Sequence, residues 1–248
     1  METIKKGDFL SKFLFIIVIG TIISLSGTMI GAVIGTSFKN PSEKLLCKFM
    51  GFSAGLMLSV VVFDLIPEAL NTWNYSGVLI FLIIGILIVY FIDKNTNSID
   101  INMHKKVAFM TALGLILHNF PEGILMGVGF QAGSRLGLKM AIIISIHDIP
   151  EGIAVATPLI ASNEKKSKTL FYVFLTAIPT LFGVFLGSYI ANISKNFLSI
   201  LLALASGIMI YVVCAEMIPE SRNLGDKITS YFYMMVGVIA GLIIIKLL

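Results

Sequence analysis

Charged residues are scarce in this chain: only 13% of its 248 residues are Asp, Glu, Lys or Arg, whereas 57% are hydrophobic. Soluble domains carry about a quarter charged residues. The scarcity of charge therefore excludes an ordinary soluble domain and indicates a polytopic membrane protein. At about 20 residues per span, a chain of this length accommodates seven or eight transmembrane helices joined by short loops.

Cysteine is also rare, and its two positions, Cys47 and Cys214, lie far apart. No Cys-x-x-Cys spacing occurs, so a thiolate metal site is not expected and both cysteines are predicted to be free thiols in apolar surroundings. The string His-Glu-x-x-His is absent as well, which argues against an intramembrane zinc protease. The net charge of +4 does not indicate nucleic-acid binding, because the lysines cluster in short loops. Neither an enzyme nor a nucleic-acid-binding protein is therefore expected.

Eight apolar segments are long enough to cross a lipid bilayer. The predicted spans are 12–38, 45–70, 76–92, 107–130, 137–161, 169–190, 197–219 and 229–247. The connections between them are short and polar, and none is large enough to fold independently. We therefore predict an all-α membrane protein with eight transmembrane helices, in which residues 1–248 form a single transmembrane domain.

Lys and Arg are unevenly distributed between the two sets of loops. Loops 1–2, 3–4, 5–6 and 7–8 hold 11 of them, and the opposite loops and the two terminal segments hold 7. The eleven are Lys39, Lys44, Lys48, Lys94, Lys105, Lys106, Lys165, Lys166, Lys168, Arg222 and Lys227. Because cytoplasmic loops are enriched in Lys and Arg, both termini are predicted to be extracytoplasmic.

An internal repeat relates helix 2 to helix 7. The segments 55–68 and 207–220 share a glycine, an acid, a proline and a glutamate at a constant offset of 152 residues. These helices cross the membrane in opposite directions in the predicted topology, as in transporters built from inverted repeats. Chance similarity between apolar helices is the alternative, which four matched residues in one register disfavour. The acids of the repeat are predicted to line a transport pathway, one pair on each side of the membrane: Asp64, Glu68, Glu216 and Glu220.

Two related hexads, 118–123 and 147–152, lie near the middle of helices 4 and 5. Residues four positions apart share a helix face, so His118 is expected to pair with Glu122, and His147 with Glu151. The second residue of each hexad lies about 100° around the helix and offers further oxygen atoms. A proline in each hexad removes one backbone donor, so we expect a kink whose freed carbonyl faces a polar cavity.

The acids of the hexads are costly at this depth, since each carboxylate near mid-membrane costs about 2.5–3.5 kcal/mol. A divalent cation would neutralise them. Imidazole, carboxylate and amide groups together suit Zn²⁺, Fe²⁺, Mn²⁺, Co²⁺ or Cd²⁺, whereas Ca²⁺ and Mg²⁺ prefer oxygen ligands alone. The predicted metal ligands are His118, Asn119, Glu122, His147, Asp148 and Glu151.

Other interpretations of the hexads stay open at this point. The polar groups could form a proton relay or a helix–helix hydrogen bond without metal. They could also belong to a proton- or cation-coupled transporter of an organic solute. In loop 3–4, His104 is expected to be solvated beside Lys105 and Lys106, although this loop could take part in ion release.

The paired hexads and the eight spans resemble the ZIP (Zrt/Irt-like protein) family of divalent metal transporters, in particular its bacterial GufA-like branch. The resemblance covers the whole chain. It implies a helical bundle in which helices 1–3 and 6–8 are inverted repeats around helices 4 and 5. It also implies import of zinc or a similar divalent ion across the plasma membrane, the ion being the transported substrate and not a cofactor. The oligomeric state is left open, a homodimer included.

The resemblance further implies that the six predicted ligands form a metal centre, which is binuclear with bridging glutamates in related proteins. In this family, acids on helices 2 and 7 serve ion entry and exit, as expected here for Asp64 and Glu216. One position departs from the pattern. Relatives often supply a glutamate from helix 6 just before a proline, where this chain has Ile178. A site on His118, Glu122, His147 and Glu151 is therefore expected to be stronger than a second site.

Overall fold

A computed structural model describes residues 6–37, 42–96, 103–189 and 195–247. All regular structure in these ranges is helical, and eight helices there are long and apolar enough to cross a membrane. We number them in chain order as α1 (Lys6–Thr36), α2 (Glu43–Val60, Val61–Leu65 and Ile66–Thr72), α3 (Tyr75–Thr96), α4 (Met103–Ala132), α5 (Ser134–Ala161), α6 (Lys166–Tyr189), α7 (Lys195–Tyr211, Val212–Met217 and Ile218–Leu224) and α8 (Lys227–Leu247). The prediction of an all-α membrane protein with eight spans is confirmed.

The helix ends differ modestly from the predicted bounds. Helix α1 begins at Lys6 instead of residue 12, and α7 ends at Leu224 instead of residue 219. Hydropathy marks only the apolar part of a span, whereas the helices continue into polar turns at the membrane surface. The predicted ends of spans 1 and 6, residues 38 and 190, lie outside the described residues.

Glycines bring the helices around the hexads into backbone contact. A Cβ placed on Gly123 of α4 would lie 2.3 Å from the carbonyl oxygen of Thr180 on α6. A Cβ placed on Gly31 of α1 would lie 1.9 Å from the carbonyl oxygen of Ile149 on α5. Only glycine permits approaches this close, which maximise van der Waals contact between helices in lipid. These contacts fix two helix pairs, α4 with α6 and α1 with α5.

The remaining helices pair in the same way. A Cβ on Gly55 of α2 would lie 2.0 Å from the Met234 carbonyl oxygen on α8, and one on Gly207 of α7 would lie 2.0 Å from the Leu82 carbonyl oxygen on α3. Helix α4 also packs directly on α5. The hexads thus lie in a group formed by α1, α4, α5 and α6, which packs against α2, α3, α7 and α8.

Helices α2 and α7 share a local irregularity at the repeated segment. A π-helical turn, Val61–Leu65 in α2 and Val212–Met217 in α7, precedes an Ile-Pro-Glu sequence that resumes the α-helix. The proline lacks an N–H group, and π-turns are frequent at functional sites. The repeat seen in the sequence therefore has a common local structure, with Asp64 and Glu216 each inside the π-helical turn. The inverted relation between helices 1–3 and 6–8 stays a prediction.

Candidate metal centre

Five of the six predicted ligands have described side chains, and all five are at most 2% exposed: His118, Asn119, Glu122, Asp148 and Glu151. They come from the middle of α4 and α5, in spans that are otherwise apolar. The side chain of His147 lies outside the described part of the chain. Burial of so many polar side chains is unfavourable unless each finds a partner, so their contacts decide what the cluster can do.

The imidazole of His118 joins α4 to α5. Its Nδ1 lies 2.9 Å from the carbonyl oxygen of Gly114, one turn earlier on α4. Its Nε2 lies 3.0 Å and 3.1 Å from the two carboxylate oxygens of Glu151 on α5. The contacts of the His118 ring therefore run to its own helix backbone and across to α5. The ring is turned this way because its own helix backbone holds Nδ1.

This orientation suits a metal ligand. Both partners of the ring are acceptors, so Nδ1–H donates to the Gly114 carbonyl and, without an ion, Nε2–H donates to the Glu151 carboxylate. An ion that replaced the Nε2 proton would find the Nε2 lone pair and the Glu151 oxygens as donors. Metal-ligating histidines almost always donate their second ring N–H to a carbonyl or carboxylate, which fixes the tautomer. A nitrogen and two oxygen donors on different helices thus converge on one buried point.

The amide of Asn119 connects the centre to α6. Its Nδ2 donates a 2.8 Å hydrogen bond to the carbonyl oxygen of Thr176. Its Oδ1 is buried and has no hydrogen-bond partner among the residues that the structure describes. The amide group is held by its nitrogen, so its oxygen can serve as a ligand.

Helix α1 supports Asp148 of α5. The hydroxyl of Ser24 donates a 2.7 Å hydrogen bond to Asp148 Oδ2, and the hydroxyl of Thr28 lies 3.5 Å from the same oxygen. Neither residue was among the predicted site residues. Their spacing in the sequence could have predicted this role. Ser24 and Thr28 lie one turn apart on either side of Gly27, and Gly27 packs against Ser145 of α5.

A cavity of about 270 Å³ joins the centre to one end of the bundle. It is lined by Asp64 and Glu68 of α2 and by Glu122 of α4, together with apolar side chains. Glu68 is exposed and Glu122 is buried, so the cavity reaches from the surface to the hexads. The structure thus brings two of the predicted pathway acids together with a predicted ligand.

Glu216 and Glu220, the other predicted pathway acids, are buried at the opposite end of the bundle. Glu216 Oε1 lies 3.3 Å from Lys106 Nζ, and Glu220 is bonded to His104 Nδ1. The expectation that His104 is solvated holds only in part, because its side chain is 31% exposed and is bonded to the buried Glu220. Helix α4 begins at Met103, which places His104 in its first turn beside α7.

These features define a multi-pass membrane protein with a buried cluster of imidazole, amide and carboxylate groups that an acidic cavity reaches. A family model described as "ZIP Zinc transporter" matches residues 95–245. The zinc transporter ZupT of Salmonella arizonae is 32% identical over 233 residues, covering 88% of this chain and 91% of the relative. ZupT of Salmonella heidelberg is 31% identical with the same coverage. The chain belongs to the ZIP family.

Membership confirms the family predicted from the hexads, although the GufA-like branch stays a prediction. ZIP proteins are transport proteins, so the expectation that the chain is not an enzyme is confirmed as well.

Proposed function

We propose that this protein carries divalent metal ions, zinc first among them, through a centre held by α4 and α5. The observation that carries the proposal is the contact of His118 Nε2 with both oxygens of Glu151 in a fully buried position. Imidazole nitrogen with carboxylate and amide oxygens is a donor set for borderline divalent ions, so iron, manganese, cobalt and cadmium ions are further candidates. Zinc is preferred because both compared relatives are zinc transporters.

The first ion is held by His118, Glu122, His147 and Glu151. Glu122 lies one turn after His118 on α4, and His147 has the same spacing to Glu151 on α5. The electrostatic reason for binding is the cost of the buried carboxylates, which a dication offsets by charge neutralisation. Thiolates are absent from the set, so the affinity is moderate and the ion can be released.

A second ion would use the oxygens of Asn119 and Asp148. The Asn119 amide nitrogen is already bonded to Thr176, and one Asp148 oxygen accepts a hydrogen bond from Ser24. Helix α6 offers Ile178 where relatives often have a glutamate, so fewer anionic oxygens face this position. The second site is accordingly the weaker one.

The ion enters through the cavity that contains Asp64 and Glu68 and leaves past Glu216 and Glu220. Negative side chains along a cavity raise the local concentration of cations. The cavity opens at the end of the bundle whose loops carry fewer Lys and Arg, the extracytoplasmic side in the predicted topology. The direction, into the cytoplasm across the plasma membrane, is the one that the resemblance to the ZIP family implies. The chain acts as one transporter domain with both termini outside.

The packing of the helices supports a mechanism of alternating access. The group of α1, α4, α5 and α6 holds the ion, and its glycine contacts make it a rigid unit. Movement of this group against α2, α3, α7 and α8 would expose the centre to one side of the membrane and then to the other. The ion stays bound to the same side chains during the change.

Zinc flux into proteoliposomes loaded with a zinc-sensitive dye tests the proposal. The variant with Glu122→Ala and Glu151→Ala should lose most of the flux, since it lacks two of the four principal ligands. Glu164→Ala is the matched control, because this carboxylate lies in the α5–α6 loop, outside the centre, and should retain the wild-type flux. Equal flux in the double variant and the wild type would refute the proposed centre, and metal-independent flux of an organic solute would favour the rival class of transporter.

A further inference from the structure

A partly buried ammonium group lies among the acids at the end of the bundle opposite the cavity. Lys106 Nζ, in the first turn of α4, lies 2.7 Å from Asp93 Oδ1 on α3 and 3.3 Å from Glu216 Oε1 on α7. All three side chains are largely buried. One cation therefore ties three helices together in the region past which the transported ion would leave.

Two further contacts reinforce this tie. The hydroxyl of Tyr211 on α7 donates a 2.6 Å hydrogen bond to Asp93 Oδ2, so both oxygens of this carboxylate are engaged. His104, two residues before Lys106, is bonded to Glu220 of α7. Helix α7 is thus held to α3 and α4 on both sides of its π-helical turn.

The acids at equivalent positions of the two repeated segments have different surroundings. Asp64 and Glu68 line the open cavity, whereas Glu216 and Glu220, at the same positions of the second repeat, are buried and bonded to cationic or basic side chains of α4. The two copies of the repeat therefore differ in their surroundings: one pair of acids lines a cavity, and the other pair is buried against side chains of α4.

We propose that Lys106 is the gate residue of the exit, a resident cation that holds the α3–α4 end closed and must leave Glu216 before the ion passes. This inference rests on the proposed transport function. A dication at Glu216 and the Lys106 ammonium would repel each other at contact distance, so the two occupy this carboxylate in turn. Because Lys106 is partnered by two buried carboxylates, the closed arrangement is stable only while the ammonium stays. Binding of the transported ion at Glu216 is thereby coupled to the opening of the gate.

Thr111 is a suitable reporter of the gate. It is fully buried, and it lies on the helix face that contains His104 and His118, two turns or about 10 Å from each. Thr111→Cys is introduced after Cys47→Ala and Cys214→Ala have removed the native thiols. The rate of its reaction with a charged, membrane-impermeant thiol reagent is then measured without metal, in intact cells and in inside-out vesicles. Lys165→Cys, exposed in the α5–α6 loop, marks the side on which the gate lies.

With Lys106 in place, and equally with Lys106→Arg, the reporter should be protected from both sides. Lys106→Met should raise its labelling rate by about tenfold or more, from the side that labels Lys165→Cys, because the closed state loses its tie. The double variant Lys106→Met with Asp93→Asn should do the same without leaving the Asp93 charge buried. Unchanged labelling in both variants, or a rise from the other side, would overturn the proposal.

A second reporter separates gating from misfolding. Val184→Cys on α6 is fully buried away from the gate, so it should stay protected in every Lys106 variant. A rise confined to the Thr111→Cys reporter supports the gate, and an equal rise at both positions contradicts it. Labelling needs neither zinc nor transport. If zinc flux were absent but labelling behaved as expected, the proposed transport of zinc would be refuted and the proposed gate would still be supported.

Discussion

The hydroxyl of Ser24 on α1 donates a 2.7 Å hydrogen bond to Asp148 Oδ2 on α5, and both side chains are buried. Helix α1 carries none of the predicted ligands, yet it holds one of them in place. Close packing at Gly27 and Gly31 makes this contact possible, since it brings the α1 backbone against that of α5. The candidate centre is therefore supported from three sides, by α1 at Asp148, by α6 at Asn119 and by its own two helices.

Ser24→Ala should destabilise the protein and weaken zinc binding. A hydrogen bond to a charged group contributes about 1.5–3 kcal/mol, and its loss leaves the buried Asp148 carboxylate with one donor fewer. Ser26→Ala is the matched control, because Ser26 is exposed on the same helix and bonds only to the carbonyl oxygen of Ile23 among the contacts described for it. Thermal unfolding in detergent and zinc titration would measure both effects. Identical behaviour of the two variants would show that Ser24 has no supporting role.

Gly123→Ala should disrupt the contact between α4 and α6. The added Cβ would lie 2.3 Å from the Thr180 carbonyl oxygen, so the helices must separate. The hydrogen bond from Asn119 to Thr176, one turn away, should lengthen, and overpacking of this kind costs about 1–3 kcal/mol. We expect a lower unfolding temperature and slower zinc flux.

Gly133→Ala is the control for this effect, because a Cβ there would meet nothing within 4 Å and the backbone is extended. It should match the wild type in both assays. Equal loss of flux in the two glycine variants would indicate a general intolerance of alanine and not a specific contact.

Neutralising Asp64 and Glu68 together, as Asp64→Asn with Glu68→Gln, should weaken ion capture more than turnover. The apparent KM for zinc is expected to rise by about tenfold at low ionic strength, since the cavity would no longer concentrate cations. The effect should shrink in high salt, where charges at the exposed mouth are screened. Initial rates at two ionic strengths measure it, with Glu43→Gln at the other end of α2 as control. An unchanged KM would exclude this cavity as the entrance.

Ile178→Glu should strengthen the second site. Ile178 lies two residues after Thr176, whose carbonyl oxygen binds the Asn119 amide, and a carboxylate there would add the ligand that relatives often have. Zinc stoichiometry by metal analysis should increase, with Ile178→Gln as the uncharged control. The same stoichiometry in the Ile178→Glu variant and the wild type would remove the case for a second site at this position.

Much of the fold was predictable because the apolar spans are long and the polar residues within them are few. The hexads were visible for the same reason: a carboxylate such as Glu122 in the middle of a span is costly and stands out. The repeat between α2 and α7 predicted positions that share a π-helical turn in the structure. Spacing along one helix is local information, and the sequence carries it directly.

Contacts between helices were not predictable, because they depend on how the helices rotate about their axes. The i, i+4 rule paired His118 with Glu122, yet the bond from Nδ1 to Gly114 turns the ring towards Glu151. Lys106 was counted only as a loop charge that sets topology, whereas its partly buried side chain lies between Asp93 and Glu216. Ser24 gave no signal as strong as an acid in a span, because a hydroxyl in a helix can bond to its own backbone.

The zinc content of the purified protein tests the central claim most directly. Three proteins would be equilibrated with zinc and analysed for bound metal. They are the wild type, the cavity variant with Asp64→Asn and Glu68→Gln, and a four-fold variant with His118→Ala, Glu122→Ala, His147→Ala and Glu151→Ala. The wild type and the cavity variant should each retain at least one ion per chain, and the four-fold variant should retain none. Equal zinc in the four-fold variant and the wild type would contradict a metal centre on α4 and α5.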